Sequence, residues 1–185
     1  MKLLSKSFFA RNTEQVAREL LGKILVHKNF RGKIVETEAY FGTGDPASHA
    51  FKGPTHRSKV MFGPPGRAYV YFTYGMHWML NVVTETDGKP GAVLIRALES
   101  GLNTNGPAKL TKAFGITGKL NGIELTKRGF CILDSKDKPE IASSKRIGVS
   151  KDLNRNLRFY IKGNSFVSKN GSRFKVADEA TRNKV

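Results

Sequence analysis

The chain has 185 residues, enough for one domain with a buried core, and its 39% hydrophobic and 10% aromatic content excludes a disordered basic tail. Thirty-two Lys and Arg against fifteen Asp and Glu give a formal net charge of +17. That balance suits a domain that meets a polyanion, because neutralising phosphates releases their condensed counterions.

In chain order, the first nine residues (MKLLSKSFF) lack the apolar run and small-residue cleavage site of a signal peptide. No later window approaches the roughly 18 apolar residues of a membrane span. The expectation is a soluble intracellular protein, cytoplasmic if bacterial and nuclear if eukaryotic. Asn12 and Gln15 predict a capped helix start, with Gln15 reaching back. Val16, Ala17, Leu20 and Leu21 form its apolar stripe and Gly22 stops it. Strand-like runs at Lys23–Lys28 and Gly32–Tyr40 then suggest a hairpin. Period-two alternation in the second run puts Glu36, Glu38 and Tyr40 on one face, and Val35, Thr37 and Ala39 on the other.

Phe41–Gly66 is rich in Gly and Pro and holds His49, His56, Lys52, Arg57 and Lys59. A connection this long is functional or disordered. A strand from Ala68 to Thr73, a turn at Tyr74-Gly-Met76 and a return strand from His77 to Thr84 carry three tyrosines, Phe72 and the single tryptophan, Trp78. A strand at Gly91–Ala97 and a helix opening at Pro107 and closing at Gly115 follow. Strand-like runs at Gly129–Leu133 and Arg158–Ile161 come next, and Asp178–Val185 is polar enough to fray. The one cysteine, Cys131, excludes an internal disulfide and reads as a small buried hydrophobe. The sum is one α+β domain over residues 1–185, built on antiparallel sheet.

His27, His49, His56, His77 and Cys131 show no metal-ligand spacing, and the chain has no phosphate-binding glycine loop or nucleophile-elbow serine. Neither metal nor organic cofactor is expected. The chemical signal is Val35-Glu-Thr-Glu-Ala-Tyr40, two carboxylates on one face of a strand in a strongly cationic chain. Alternation sets the face of Glu38 without showing whether that face is a pocket or a solvated surface.

Glu36-Thr-Glu-Ala-Tyr40, His49, Tyr69-Val-Tyr-Phe-Thr-Tyr-Gly-Met76, Asn81, Leu94-Ile-Arg-Ala-Leu-Glu99 and Asn105-Gly-Pro-Ala-Lys-Leu110 occur in that order. Arg146-Ile-Gly-Val149 and Arg158-Phe-Tyr-Ile-Lys-Gly163 complete the series. Together they resemble the alkyladenine (3-methyladenine) DNA glycosylase family over roughly Leu20–Ser168. The resemblance implies a curved sheet with flanking helices and a protruding hairpin, acting as a monomer on damaged duplex DNA. The activity it implies is hydrolytic release of alkylated purines by a monofunctional enzyme that starts base-excision repair.

In that pattern Tyr74 is the wedge that fills the stack after the nucleotide is flipped out. Tyr40, His49 and Tyr71 enclose the extruded base, with a cation–π gain for a charged purine. Asn81 checks the purine edge; taken alone it would read as a cross-strand hydrogen-bonding residue. Glu38 is the general base that activates water, Arg96 keeps it ionised, and the main-chain carbonyl of Ile147 helps hold the water. Glu36 is assigned to structure. Lys52, Arg57, Lys59 and Arg67 are candidate phosphate contacts, which would set affinity and salt dependence rather than lesion choice. The sequence departs from the family at Ser150–Asn156, which is short and polar and puts water positioning and lesion breadth in doubt. Two rivals stay open at this point. A non-catalytic nucleic-acid-binding domain would explain the charge and the aromatic residues but not the ordered motifs. A glycosylase/lyase would use a lysine nucleophile, which borohydride trapping exposes.

Overall fold

The computed structural model describes residues 1–168, so the polar end at 178–185 lies outside the described residues. These residues form a nine-stranded antiparallel sheet with three short helices. The strands are β1 (Ile24–His27), β2 (Phe30–Tyr40), β3 (Ala68–Thr73), β4 (His77–Val83), β5 (Ala92–Glu99), β6 (Thr126–Lys127), β7 (Phe130–Leu133), β8 (Ile141–Ser144) and β9 (Arg158–Ile161). Their order is β3-β4-β5-β2-β1-β7-β6, with β9 paired to both β2 and β8. The helices are α1 (Lys6–Phe9), α2 (Thr13–Glu19) and α3 (Pro107–Ala113).

The α2 start forms as its sequence dictates, Asn12 accepting the amides of Glu14 and Gln15. Gln15 does not reach back; its side-chain amide donates to Glu19 at 3.0 Å instead. Pro107 opens α3 at its first turn, and Gly115 leaves it with φ +63. α1, β6 and β8 carry no sequence signal strong enough to predict them, each being four residues or fewer. Segment 41–66 holds only a 3₁₀ turn at Lys59–Phe62 and is anchored by the buried Asp45, which accepts the Phe41 and Ala47 amides.

The core lies between α2, α3 and the sheet, with Phe9, Leu20, Leu25, Ile34, Ile95, Leu98, Leu110, Phe114 and Phe159 all fully buried. Burial of this kind is worth about 1.5–3 kcal/mol per large apolar side chain. Cys131 is buried in β7 among them. The long strand β2 is the spine, because its residues Glu36–Glu38 are paired to β5 on one side and β9 on the other. Its register breaks between Ile34 and Glu36 and again before Thr37. That bulge has a purpose visible in the packing. Strict alternation would put Ile34 and Ala39 on opposite faces, yet both enter the core, while Glu36 and Glu38 turn the other way onto a shared arginine.

At one edge of the sheet β3 and β4 run out as a hairpin. Met76 donates its amide to the Thr73 carbonyl at 3.2 Å, and both central residues have positive φ, Tyr74 at +51 and Gly75 at +67. This is the pattern of a type I′ turn, whose twist matches that of the flanking strands.

Candidate active site

Glu38 sits at the centre of the sheet with no solvent exposure. Its Oε1 accepts the Ile147 amide at 2.8 Å and faces Arg96 Nη1 at 3.2 Å, and its Oε2 accepts the Tyr40 hydroxyl at 2.9 Å. Three elements converge on it: β2, β5 (which carries Arg96) and the connection after β8. Burial pushes the Glu38 carboxyl up, against Arg96, the Ile147 amide and the Tyr40 hydroxyl, with the neighbouring Glu36 charge adding to the rise. Arg96 is the strongest of the influences that favour the ionised form, as expected of it, although burial exceeds it. A carboxyl raised in this way is a stronger base than an exposed one. At Ile147 it is the amide N–H that bonds the Glu38 carboxylate.

Glu36 behaves in the opposite sense. Burial would raise it too, but Arg96, Arg158 and the Ser168 amide together hold it below the usual carboxylate range. One arginine thus serves both carboxylates, with Arg96 Nε on Glu36 Oε1 at 2.8 Å.

Around this pair lie the predicted rings. The His49 ring meets Tyr71 edge-on, with centroids 4.6 Å apart, and its Nδ1 is 2.8 Å from the Tyr69 hydroxyl. Tyr69 and Tyr71 lean together at 5.3 Å. Burial, followed by the Arg57 charge, lowers the His49 pKa and keeps the imidazole neutral. Burial and then Glu38 push the Tyr71 hydroxyl up to about 12, so it remains a donor. Asn81 is buried and donates Nδ2 to the Tyr69 carbonyl at 3.1 Å, so in this state it makes the cross-strand contact.

Two arginines already occupy ring faces. The guanidinium of Arg146 lies 4.6 Å from the Tyr40 ring centre, and that of Arg57 lies 5.3 Å from Tyr71. A cation on one face drains the ring's attraction for a second cation on the other.

Tyr74 is 80% exposed at the hairpin tip. Lys52, Arg57 and Lys59 are exposed on the 41–66 segment, where Arg57 also donates to the Phe72 carbonyl. Arg67 is not brought to this group. It precedes β3, at the end opposite the tip, and lies 3.8 Å from Glu124.

Sequence reasoning left Tyr69, Asp45, Arg146, Arg158 and Ser168 without roles. Arg146 is buried, with two nitrogens on Asp45 at 2.6 and 2.7 Å, another contact to the Ala39 carbonyl at 2.9 Å, and Asp152 as a further partner. It fixes the residue next to Ile147 and backs the Tyr40 ring. The short 150–156 segment supplies Asp152, so its role is to fasten Arg146. Only Tyr69 had a usable signal, as the residue two before Tyr71 on the same strand. The other four depend on partners 100 or more residues away, as for Arg146 with Asp45 at a separation of 101, or on a bulge. Among the described residues no group of three or more His, Cys, Asp and Glu is gathered as a metal site requires.

The family described as methylpurine-DNA glycosylase (MPG) matches residues 7–165. The chain belongs to this family. It is accordingly a DNA glycosylase, a hydrolase of the N-glycosidic bond, and its substrate is DNA. A Rhodopseudomonas palustris protein is 46% identical over 90% of this chain and 88% of its own length. One from Legionella pneumophila strain Corby is 48% identical over 91% of this chain and 100% of its own, and one from Wolbachia pipientis wMel is 48% identical over 85% and 90%. All three bear the name "Putative 3-methyladenine DNA glycosylase". No helix among the described residues is long and apolar enough to cross a membrane.

Proposed function

We propose that the protein acts as a monomer on duplex DNA, flips out alkylated purines of the 3-methyladenine type, and hydrolyses their glycosidic bond without cutting the strand. Glu38 carries this reading: a fully buried carboxylate among Tyr40, Tyr71 and Arg96, held by two hydrogen bonds and an ion pair and pushed up by desolvation. It deprotonates a water that attacks C1′ of the sugar, and it offsets the positive charge developing on the ring. Arg96 and the Ile147 amide hold the carboxylate in place, and the Ile147 carbonyl orients the water.

Tyr40, His49 and Tyr71 receive the extruded base, and Asn81 screens its edge once its present partner is released. Tyr74 fills the vacated stack; its exposure and left-handed backbone support that role, because a large ring held in strain at a tip has no packing reason to be there. With guanidinium groups already on two rings, selectivity rests mainly on leaving-group chemistry. A purine alkylated on a ring nitrogen is cationic and departs more readily than a normal base.

The test is Glu38→Gln on methylated duplex DNA, with freed bases separated chromatographically. The expected outcome is retained binding and excision reduced by at least about a hundredfold, the lower range for losing a general base. Excision near the wild-type rate rejects the mechanism. Borohydride trapping on abasic DNA should capture nothing; a trapped complex would identify a lysine nucleophile instead.

A further inference from the structure

Next to the proposed base lies a carboxylate that the chemistry leaves unused. Glu36 is fully buried and accepts four donors. Arg96 Nε (2.8 Å), Arg158 Nε (2.7 Å) and the Ser168 hydroxyl (2.8 Å) all reach Oε1, and the Ser168 amide reaches Oε2 at 2.7 Å. Arg158 is itself held by Ser144 Oγ at 3.0 Å and the Ser168 carbonyl at 3.3 Å. A buried ion cluster is a poor way to gain stability, since apolar groups of the same volume serve as well or better. Its geometry offers another reason for it. A guanidinium is planar and rigid, so fixing Arg96 Nε on Glu36 fixes where Nη1 lies, and it lies 3.2 Å from Glu38 Oε1, within ion-pair distance.

We infer that Glu36, clamped by Arg158 and Ser168, is a positioning residue for excision: it aims Arg96 at Glu38 and sets how much of that arginine's charge the base receives. The inference rests on the reading of Glu38 as general base. The groups that face Glu38 are Arg96 from β5, the Ile147 amide from the connection after β8, Tyr71 from β3, Arg158 opposite it on β9, and Glu36 and Tyr40 from β2, with Arg146 behind the Tyr40 ring.

The signs follow from this arrangement. Glu36→Gln removes a like charge and leaves Arg96 to Glu38 alone, so Glu38 ionises more easily and the acidic limb of excision moves to lower pH. Arg158→Gln does the reverse. Glu36 then draws harder on Arg96, Glu38 loses cationic support, and the limb moves to higher pH. Glu36→Asp keeps the charge, so its limb stays near that of the wild type while the plateau rate falls.

The experiment measures single-turnover release of methylated base across the acidic and neutral range for wild type, Glu36→Gln, Glu36→Asp and Arg158→Gln. Opposite displacements of the first and third variants, each of about one pH unit, are expected. Limbs that do not move, or that move together, overturn the inference and leave Glu36 a structural residue. If Glu36→Gln does not fold, Ser168→Ala replaces it; losing one donor on Glu36 should move the limb upward as Arg158→Gln does, and an unmoved limb in both rejects the idea. Failure of the underlying reading looks different, because Glu38→Gln would then keep excising.

Discussion

Tyr74 carries two opposed demands in one side chain. A non-glycine residue in the left-handed region costs on the order of 1 kcal/mol, and with 80% of its surface exposed the ring recovers little through packing. Asparagine tolerates that backbone and is favoured in type I′ turns. Tyr74→Asn should therefore raise the denaturant midpoint slightly, by up to about 1 kcal/mol of unfolding free energy, while weakening lesion capture. Lower stability together with unchanged flipping would show that the ring is there to hold the hairpin. Glu38 presents a similar conflict, since its raised carboxyl is favourable for base chemistry and unfavourable for folding at neutral pH.

Among the elements, β2 was largely legible and its bulge was not. Alternation correctly grouped Glu36, Glu38 and Tyr40, because two of them share Arg96 and the third bonds Glu38. It could not show that Ile34 joins the core through an irregular register, since a bulge answers to tertiary packing rather than to local pattern. The hairpin and α3 were readable from glycine and proline, which act locally. The connection after β8 was opaque, because its conformation comes from Arg146 reaching Asp45, 101 residues earlier. Asp45→Ala tests that dependence. It leaves a buried guanidinium short of its main partner and should cost about 3 kcal/mol in denaturant unfolding, with excision impaired even where the protein is folded. A loss under about 1 kcal/mol would mean that Asp152 suffices.

For the whole molecule, the formal charge of +17 foretold a polyanionic partner but not which cations meet it. The structure divides the candidates. Lys52 and Lys59 are exposed on the segment that also carries His49, whereas Arg67 lies beyond the far end of β3 beside Glu124. Replacing Lys52 or Lys59 with glutamine should weaken intact and lesioned duplex alike and reduce the slope of log affinity against log salt by about 1. Arg67→Gln should leave that slope alone; if it does not, DNA covers more of the sheet than the hairpin side.

The clasp on Glu36 is completed by a residue 132 positions further along the chain. During synthesis, strands β1 to β5 can pair long before Ser168 emerges, yet until then the arginine shared by the two acids has lost part of its fastening. On the inference drawn for Glu36, a polypeptide ending short of that serine would still carry the exposed lysines and yet excise slowly.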